Sequence, residues 1–223
     1  MNDTLSLLGI ATTPFELLSF VLSVATVVLN IRQNHWAWLF AIVSSATYGA
    51  VFFQSRLYGD MGLQVVFVIV SAWGWHQWLH GGAQHTALEV TRLSRTGWRQ
   101  LLLAWALGFG VCALFLKHFT DTDVPHIDGF LTAGSLLGQL LLSRKKVENW
   151  HMWIAVDVLY VGLYVYKQLM LTALLYALFV VLAVIGLRTW RAAAARAAAA
   201  PTASATPPAA RSAAPSAAPS APP

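Results

Sequence analysis

Residues 144–190 read RKKVENWHMWIAVDVLYVGLYVYKQLMLTALLYALFVVLAVIGLRTW, two long apolar runs parted only by Lys167 and Gln168. In the first run Trp150, Trp153, Asp157, Tyr160 and Tyr164 recur at helical spacing, so one face carries four aromatics and a carboxylate. The opposite face, Ile154, Val158, Val161 and Val165, is aliphatic. Eight residues into such a helix is about 12 Å along its axis, near the middle of a bilayer. A carboxylate facing lipid there costs roughly 2.5–3.5 kcal/mol, so Asp157 is expected to face protein or a wet cavity.

Composition agrees with a lipid environment. The 223 residues are 57% hydrophobic and only 10% charged, with mean hydropathy +0.61; a soluble domain carries about 25% charged residues. The apolar runs have the length of helical spans rather than the short alternation of a membrane barrel. The fold class is therefore all-α integral membrane. Seven spans are expected at about 15–31, 36–54, 61–79, 99–116, 128–143, 150–166 and 171–188. Pro14 opens the first, Asp60 and Thr172 are expected N-caps of the third and seventh, and Gly82–Gln84 loosens the longest internal loop. The single cysteine, Cys112, allows no intrachain disulfide. The start MNDTLSLLG has no positive n-region, so the first span does not read as a cleavable signal. Residues 191–223, rich in Ala, Pro and Ser, have almost nothing to bury and are expected to be disordered.

Basic residues set the orientation. Eleven of the fourteen Lys and Arg (Arg32, Arg92, Arg95, Arg99, Arg144, Lys145, Lys146, Arg188, Arg191, Arg196 and Arg211) fall on one set of loops and the tail. Arg56, Lys117 and Lys167 fall on the other. The positive-inside rule then places the N-terminus outside and the C-terminus in the cytoplasm.

One offset of 112 residues relates the two halves. It pairs Trp150 with Trp38, Tyr160 with Tyr48, Phe179 with Phe67, Gly186 with Gly74 and Trp190 with Trp78. It also pairs Asp128 with Glu16, Ser135 with Ser23 and Arg144 with Arg32. Spans 1–3 (about 15–79) and 5–7 (about 128–190) are thus one three-helix unit used twice. The linker helix, about 99–116, lets both units keep the same orientation. Parallel repeats of this kind form transporters that bind near the midplane at the repeat interface.

The binding face is expected to be unequal in the two halves. The first-repeat partners of Trp150, Trp153, Asp157, Tyr160 and Tyr164 are Trp38, Ala41, Ser45, Tyr48 and Phe52, so the acid has become a serine. Span three adds Gln64, Ser71, Gly74, Trp75 and Trp78 near one stripe. Gln64 has up to four hydrogen bonds to satisfy and serves either a ligand or its neighbouring helices, the latter worth about 0.6 kcal/mol. Trp38, Trp78, Trp150 and Trp190 also stand where interfacial belts form. Asn149 and Glu148 sit at the cytoplasmic mouth of span six; Glu148, Glu16 and Asp128 read as acids opening helices. His76 and His80 have the spacing of a two-histidine metal face, but no third ligand follows and no metal or cofactor is expected.

The run VENWHMWIAVD, with Tyr160, Lys167, Leu175, Tyr176, Phe179, Gly186 and Trp190, resembles the PnuC family of bacterial vitamin transporters. So do FFQSRLYGDMGLQVVF and GWHQW (Gly74–Trp78) in the first repeat. The resemblance covers residues 15–190 and implies a full-length relative of the SWEET fold, assembled as a homotrimer in the inner membrane. It implies inward facilitated diffusion of nicotinamide riboside, which a cytoplasmic kinase then traps by phosphorylation for NAD synthesis; related branches carry thiamine or riboflavin. Trp150, Trp153, Asn149 and Gln64 would be substrate contacts by the same likeness. Taken with the aromatic face, the expected binding set is Trp150, Trp153, Asp157, Tyr160, Asn149, Gln64, Tyr48, Ser45, Trp75 and Trp38.

Other classes fit less well. No phosphate-binding G-x-x-x-x-G-K-[ST] loop occurs, which excludes a P-loop ATPase. A retinal protein needs a lysine inside a span, and span seven has none. A membrane enzyme needs a clustered acid–base or metal set, and the interior offers one carboxylate and no deep histidine.

Overall fold

The computed structural model describes residues 5–7, 10–12, 14–54, 58–120, 124–166, 168 and 170–199. Among the described residues seven α-helices follow one another: α1 (Pro14–Ile31), α2 (Trp36–Gln54), α3 (Tyr58–His80), α4 (Arg95–Phe119), α5 (Pro125–Ser143), α6 (Asn149–Tyr166) and α7 (Met170–Ala199). A short antiparallel pair, β1 (Leu5–Leu7) and β2 (Ile10–Thr12), precedes them and was not expected.

Proline opens α1 and α5 at the first helical position, where its missing N–H costs nothing. Ser94 caps α4 by accepting a hydrogen bond from the Gly97 N–H. Asp60 and Thr172 lie inside the first turns of α3 and α7 rather than capping them. The expected disordered tail also begins later than Trp190, because α7 continues through Ala199. The added segment is alanine with two arginines, among the best helix formers, so the helix propagates beyond the apolar span. Residues 200–223 lie outside the described residues.

The ends of α1 and α5 share one backbone geometry. At the end of α1, Gln33 adopts a left-handed φ of 55°, and at the end of α5 Lys145 does so at 46°. Asn34 N–H reaches Leu29 O at 2.9 Å, and Lys146 N–H reaches Leu141 O at 2.9 Å. Gln33 N–H and Lys145 N–H reach Asn30 O and Leu142 O, each at 3.0 Å. Both ends are therefore the same left-handed helix stop, and every atom pair is related by the 112-residue offset.

α1 packs on α2, α2 on α3, α3 on α5, α5 on α6, α6 on α7, and α7 back on α1. Six helices close a ring, with α3/α5 and α1/α7 as the seams between repeats. α4 leans on α5 from outside and exposes Leu103, Leu107, Val111, Leu114 and Phe119. α4 and α7 are long and apolar enough to cross a membrane.

Inside each repeat one glycine admits one tryptophan. A Cβ at Gly74 would lie 2.6 Å from the Trp38 ring, and one at Gly186 would lie 2.6 Å from the Trp150 ring. Gly74→Ala and Gly186→Ala should each destabilise the fold by about 1–3 kcal/mol. Gly162, whose added Cβ would meet nothing within 4 Å, should gain about 0.5–1 kcal/mol as alanine. Thermal unfolding in detergent should separate the three, with the first two falling together.

Candidate functional site

The site is built from the face of α6 that turns towards both of its ring neighbours. Tyr160 faces α5 beside Ser135. It meets α7 through Tyr176, whose ring centre is 4.8 Å away. Tyr164 stacks on Tyr160 at 5.6 Å and lies 5.0 Å from Tyr176. Phe179 closes the group edge-on at 5.5 Å. Asp157, one turn away on α6, is 4% exposed, and among the described residues it makes no hydrogen bond or ion pair. A carboxylate so nearly buried is costly to hold without a partner.

Tyr176 was not among the residues expected from the sequence. The offset would have found it, because Tyr176 is the partner of Gln64 in the first repeat. The two interior positions thus hold an amide in one half and a phenol in the other. Gln64 is half-buried against α2, its Cβ 3.4 Å from a Cβ built on Gly49. Ser45 is half-buried at the position paired with Asp157. The side chain of Tyr48 lies outside the described residues, as does that of Glu16.

Towards the N-terminus of α6 the polar groups change character. Asn149 is fully buried; its amide donates to Lys146 O at 2.6 Å while Oδ1 has no partner. Trp150, 2% exposed, and Trp38, at the paired position, both keep an indole N–H without a partner. Trp75 does the same and stacks near His35 at 6.4 Å. Trp153 is half-buried and lies against Gly138 of α5. Rather than facing lipid as an interfacial belt, Trp38, Trp78, Trp150 and Trp190 are all buried in one cluster. Roughly 10 Å of helix separates Trp150 from Asp157. The structure therefore divides the expected set into an indole end and a tyrosine–carboxylate end.

Glu148 opens α6 as expected, but its carboxylate is held elsewhere, by the Leu93 N–H at 2.9 Å. Lys145 beside it is buried, which lowers its ammonium pKa, and sits 4.7 Å over the Trp78 ring. His76 and His80 lie 5.0 Å apart, and among the described residues no third ligating side chain joins them. A cavity of about 530 Å³ lies between Glu89, Val90, Thr91 and Arg92 on one side and four alanines at the end of α7 on the other, away from the aromatic face of α6.

An aromatic box with Asp157 in it, and with Asp128 of α5 also within electrostatic reach of Tyr160, suits a flat cationic ring, through stacking and cation–π contacts of about 0.5–2 kcal/mol each. Unpartnered indole N–H groups and an amide oxygen suit hydroxyls such as those of a sugar. Nothing in the arrangement pairs a nucleophile with a base.

A family model described as nicotinamide mononucleotide transporter matches residues 13–192. The riboflavin/roseoflavin transporter RibM of Streptomyces davaonensis is 26% identical over 180 residues, covering 78% of this chain and 83% of that protein. The nicotinamide riboside transporter PnuC of Escherichia coli is 22% identical over 178 residues, covering 69% and 74%. The crystal structure of the vitamin B3 transporter PnuC superposes with a TM-score of 0.63 at 24% identity, over 80% of each chain. These relatives are transporters, not enzymes, and this chain is a multi-pass membrane transporter of a small vitamin. It belongs to the nicotinamide mononucleotide transporter family, that of the PnuC proteins.

Proposed function

We propose that the chain carries nicotinamide riboside across the bacterial inner membrane by facilitated diffusion. The observation that carries this reading is Asp157, a buried carboxylate without a protein partner beside Tyr160 and Tyr176. Nicotinamide riboside joins a flat pyridinium cation to a ribose. Its ring suits the tyrosine–carboxylate end, and its hydroxyls suit Gln64, Asn149 and the free indole N–H groups. The eleven basic residues on one side favour a cytoplasmic C-terminus. Asp157 and Asp128 both act on Tyr160, but among the described residues no cluster of three acids or histidines forms, which favours uniport over a proton relay. Direction then comes from a cytoplasmic kinase that phosphorylates the product. A homotrimer is the assembly the family resemblance implies.

Proteoliposomes test the mechanism. Labelled nicotinamide riboside should equilibrate to the outside concentration without ATP or an ion gradient. Accumulation above that level driven by a proton or sodium gradient would reject uniport.

A second reading, riboflavin, is favoured by the likeness to RibM. Riboflavin is neutral and gains little from Asp157. Thiamine shares the flat cationic ring. Titrating the purified protein with all three vitamins should rank nicotinamide riboside first; tighter riboflavin binding would favour the second reading.

A further inference from the structure

Trp78 and Trp190 each reach out of their own repeat. Nε1 of Trp78, on α3, donates to the Leu142 carbonyl in the last turn of α5 at 3.0 Å. Nε1 of Trp190, on α7, donates to the Asn30 and Ile31 carbonyls at the end of α1, both at 3.2 Å. Leu142 and Asn30 are themselves related by the 112-residue offset, so this is one interaction made twice. The third helix of each repeat grips the first helix of the other.

The rings complete a layer between these bonds. Trp38 meets Trp78 edge-on at 5.5 Å and 90°, and Trp150 meets Trp190 at 5.5 Å and 88°. Trp78 and Trp190 meet each other at 6.0 Å across the repeat boundary. Beyond the layer the loop before α4 is strapped down. Val90 joins the same cluster, Thr91 N–H bonds Lys145 O, and Thr91 O accepts from Val147 N–H.

We infer that these four indoles are the closed gate at the basic end of the transport path, and that the two cross-repeat indole bonds are its latches. The inference rests on the chain being a transporter, and not on which vitamin it carries. If the two repeats rock as bodies, the seams α3/α5 and α1/α7 must shear, and the latches are hydrogen bonds that cross those seams. Asn30 O and Leu142 O, in the last turns of α1 and α5, also accept the Gln33 and Lys145 N–H groups of the helix stops, so each keeps a donor when the latch parts. Release is therefore reversible. Trp38 and Trp150 make no such bond and fill the space that Gly74 and Gly186 leave open.

The test uses the full-length chain in proteoliposomes. Cys112→Ser removes its one thiol. Ser71→Cys then puts a near-isosteric thiol at a buried site on α3, about 10 Å along the helix from Trp78. Its reaction with a membrane-impermeant maleimide reports opening of the gate. Trp78→Phe and Trp190→Phe keep the rings and remove the donors. Each should speed labelling from the basic side roughly fivefold, and both together about twenty-fivefold. Trp105→Phe is the control, because Trp105 Nε1 bonds Phe130 O at 3.0 Å and ties α4 to α5 without crossing a repeat seam. It should leave labelling unchanged. Parental rates in the latch variants would overturn the inference, and so would an equal rise in Trp105→Phe, which would mean general loosening. Should the double variant fail to fold, the single variants carry the same test.

Discussion

Asp157→Asn is expected to weaken binding of a cationic vitamin by roughly ten- to a hundredfold, while a neutral one changes little. The figure corresponds to about 1.5–3 kcal/mol, the range for hydrogen bonds to charged groups. Asparagine keeps the shape and removes the charge, so the loss should scale with the charge of the ligand. Stability should move the other way. Asp157 is buried without a protein partner, and replacing it removes the cost of taking a carboxylate out of water. A variant that binds nicotinamide riboside and thiamine more weakly but unfolds at a higher temperature has lost a binding group held at the expense of stability. A variant that loses stability and keeps its affinity would assign Asp157 to packing. Ligand titration by tryptophan fluorescence and thermal unfolding in detergent give both readings on one sample.

Much of this fold was legible because a bilayer imposes few choices. Every backbone polar group must be satisfied within its own helix, so apolar runs translate directly into spans. The helices begin and end within a few residues of the expected spans, apart from α4 and α7. α4 begins early because Ser94 caps it, and α7 runs on through alanine and arginine, which favour helix. The strand pair Leu5–Leu7 and Ile10–Thr12 could not be read, since three-residue strands carry too little alternation to stand out.

The site was legible only in part, for a different reason. Helical spacing shows which residues share a face, and so placed Trp150, Trp153, Asp157 and Tyr160 together. It does not show which neighbour a long side chain reaches. Tyr176 belongs to α7 yet completes the α6 group, and only the offset to Gln64 could have nominated it. The tryptophans carried the same ambiguity: belts, binding faces and cross-repeat contacts all place Trp near helix ends. Their partners decide between them, and Leu142 and Asn30 are separated from Trp78 and Trp190 by most of a repeat or more.

Symmetry of the fold with asymmetry of the site leads to the second large effect. Trp38 and Trp150 are equally buried, each rests on a glycine, and each meets a tryptophan edge-on at 5.5 Å. Trp38→Ala and Trp150→Ala should therefore cost similar stability, about 3–5 kcal/mol for a buried tryptophan. For a chain of this size that lowers the unfolding temperature by roughly 6–20 °C. Affinity should separate them. Trp150 shares its helix with Asn149 and Asp157, whereas the positions paired with these in the first repeat are Ala37 and Ser45. Measured below the unfolding temperature of each variant, vitamin binding should fall at least tenfold in Trp150→Ala and only a few-fold in Trp38→Ala. Equal losses in both would make the indole layer, rather than the α6 face, the part that recognises the ligand. That outcome would move the binding site towards the basic end of the ring and leave Asp157 to another role.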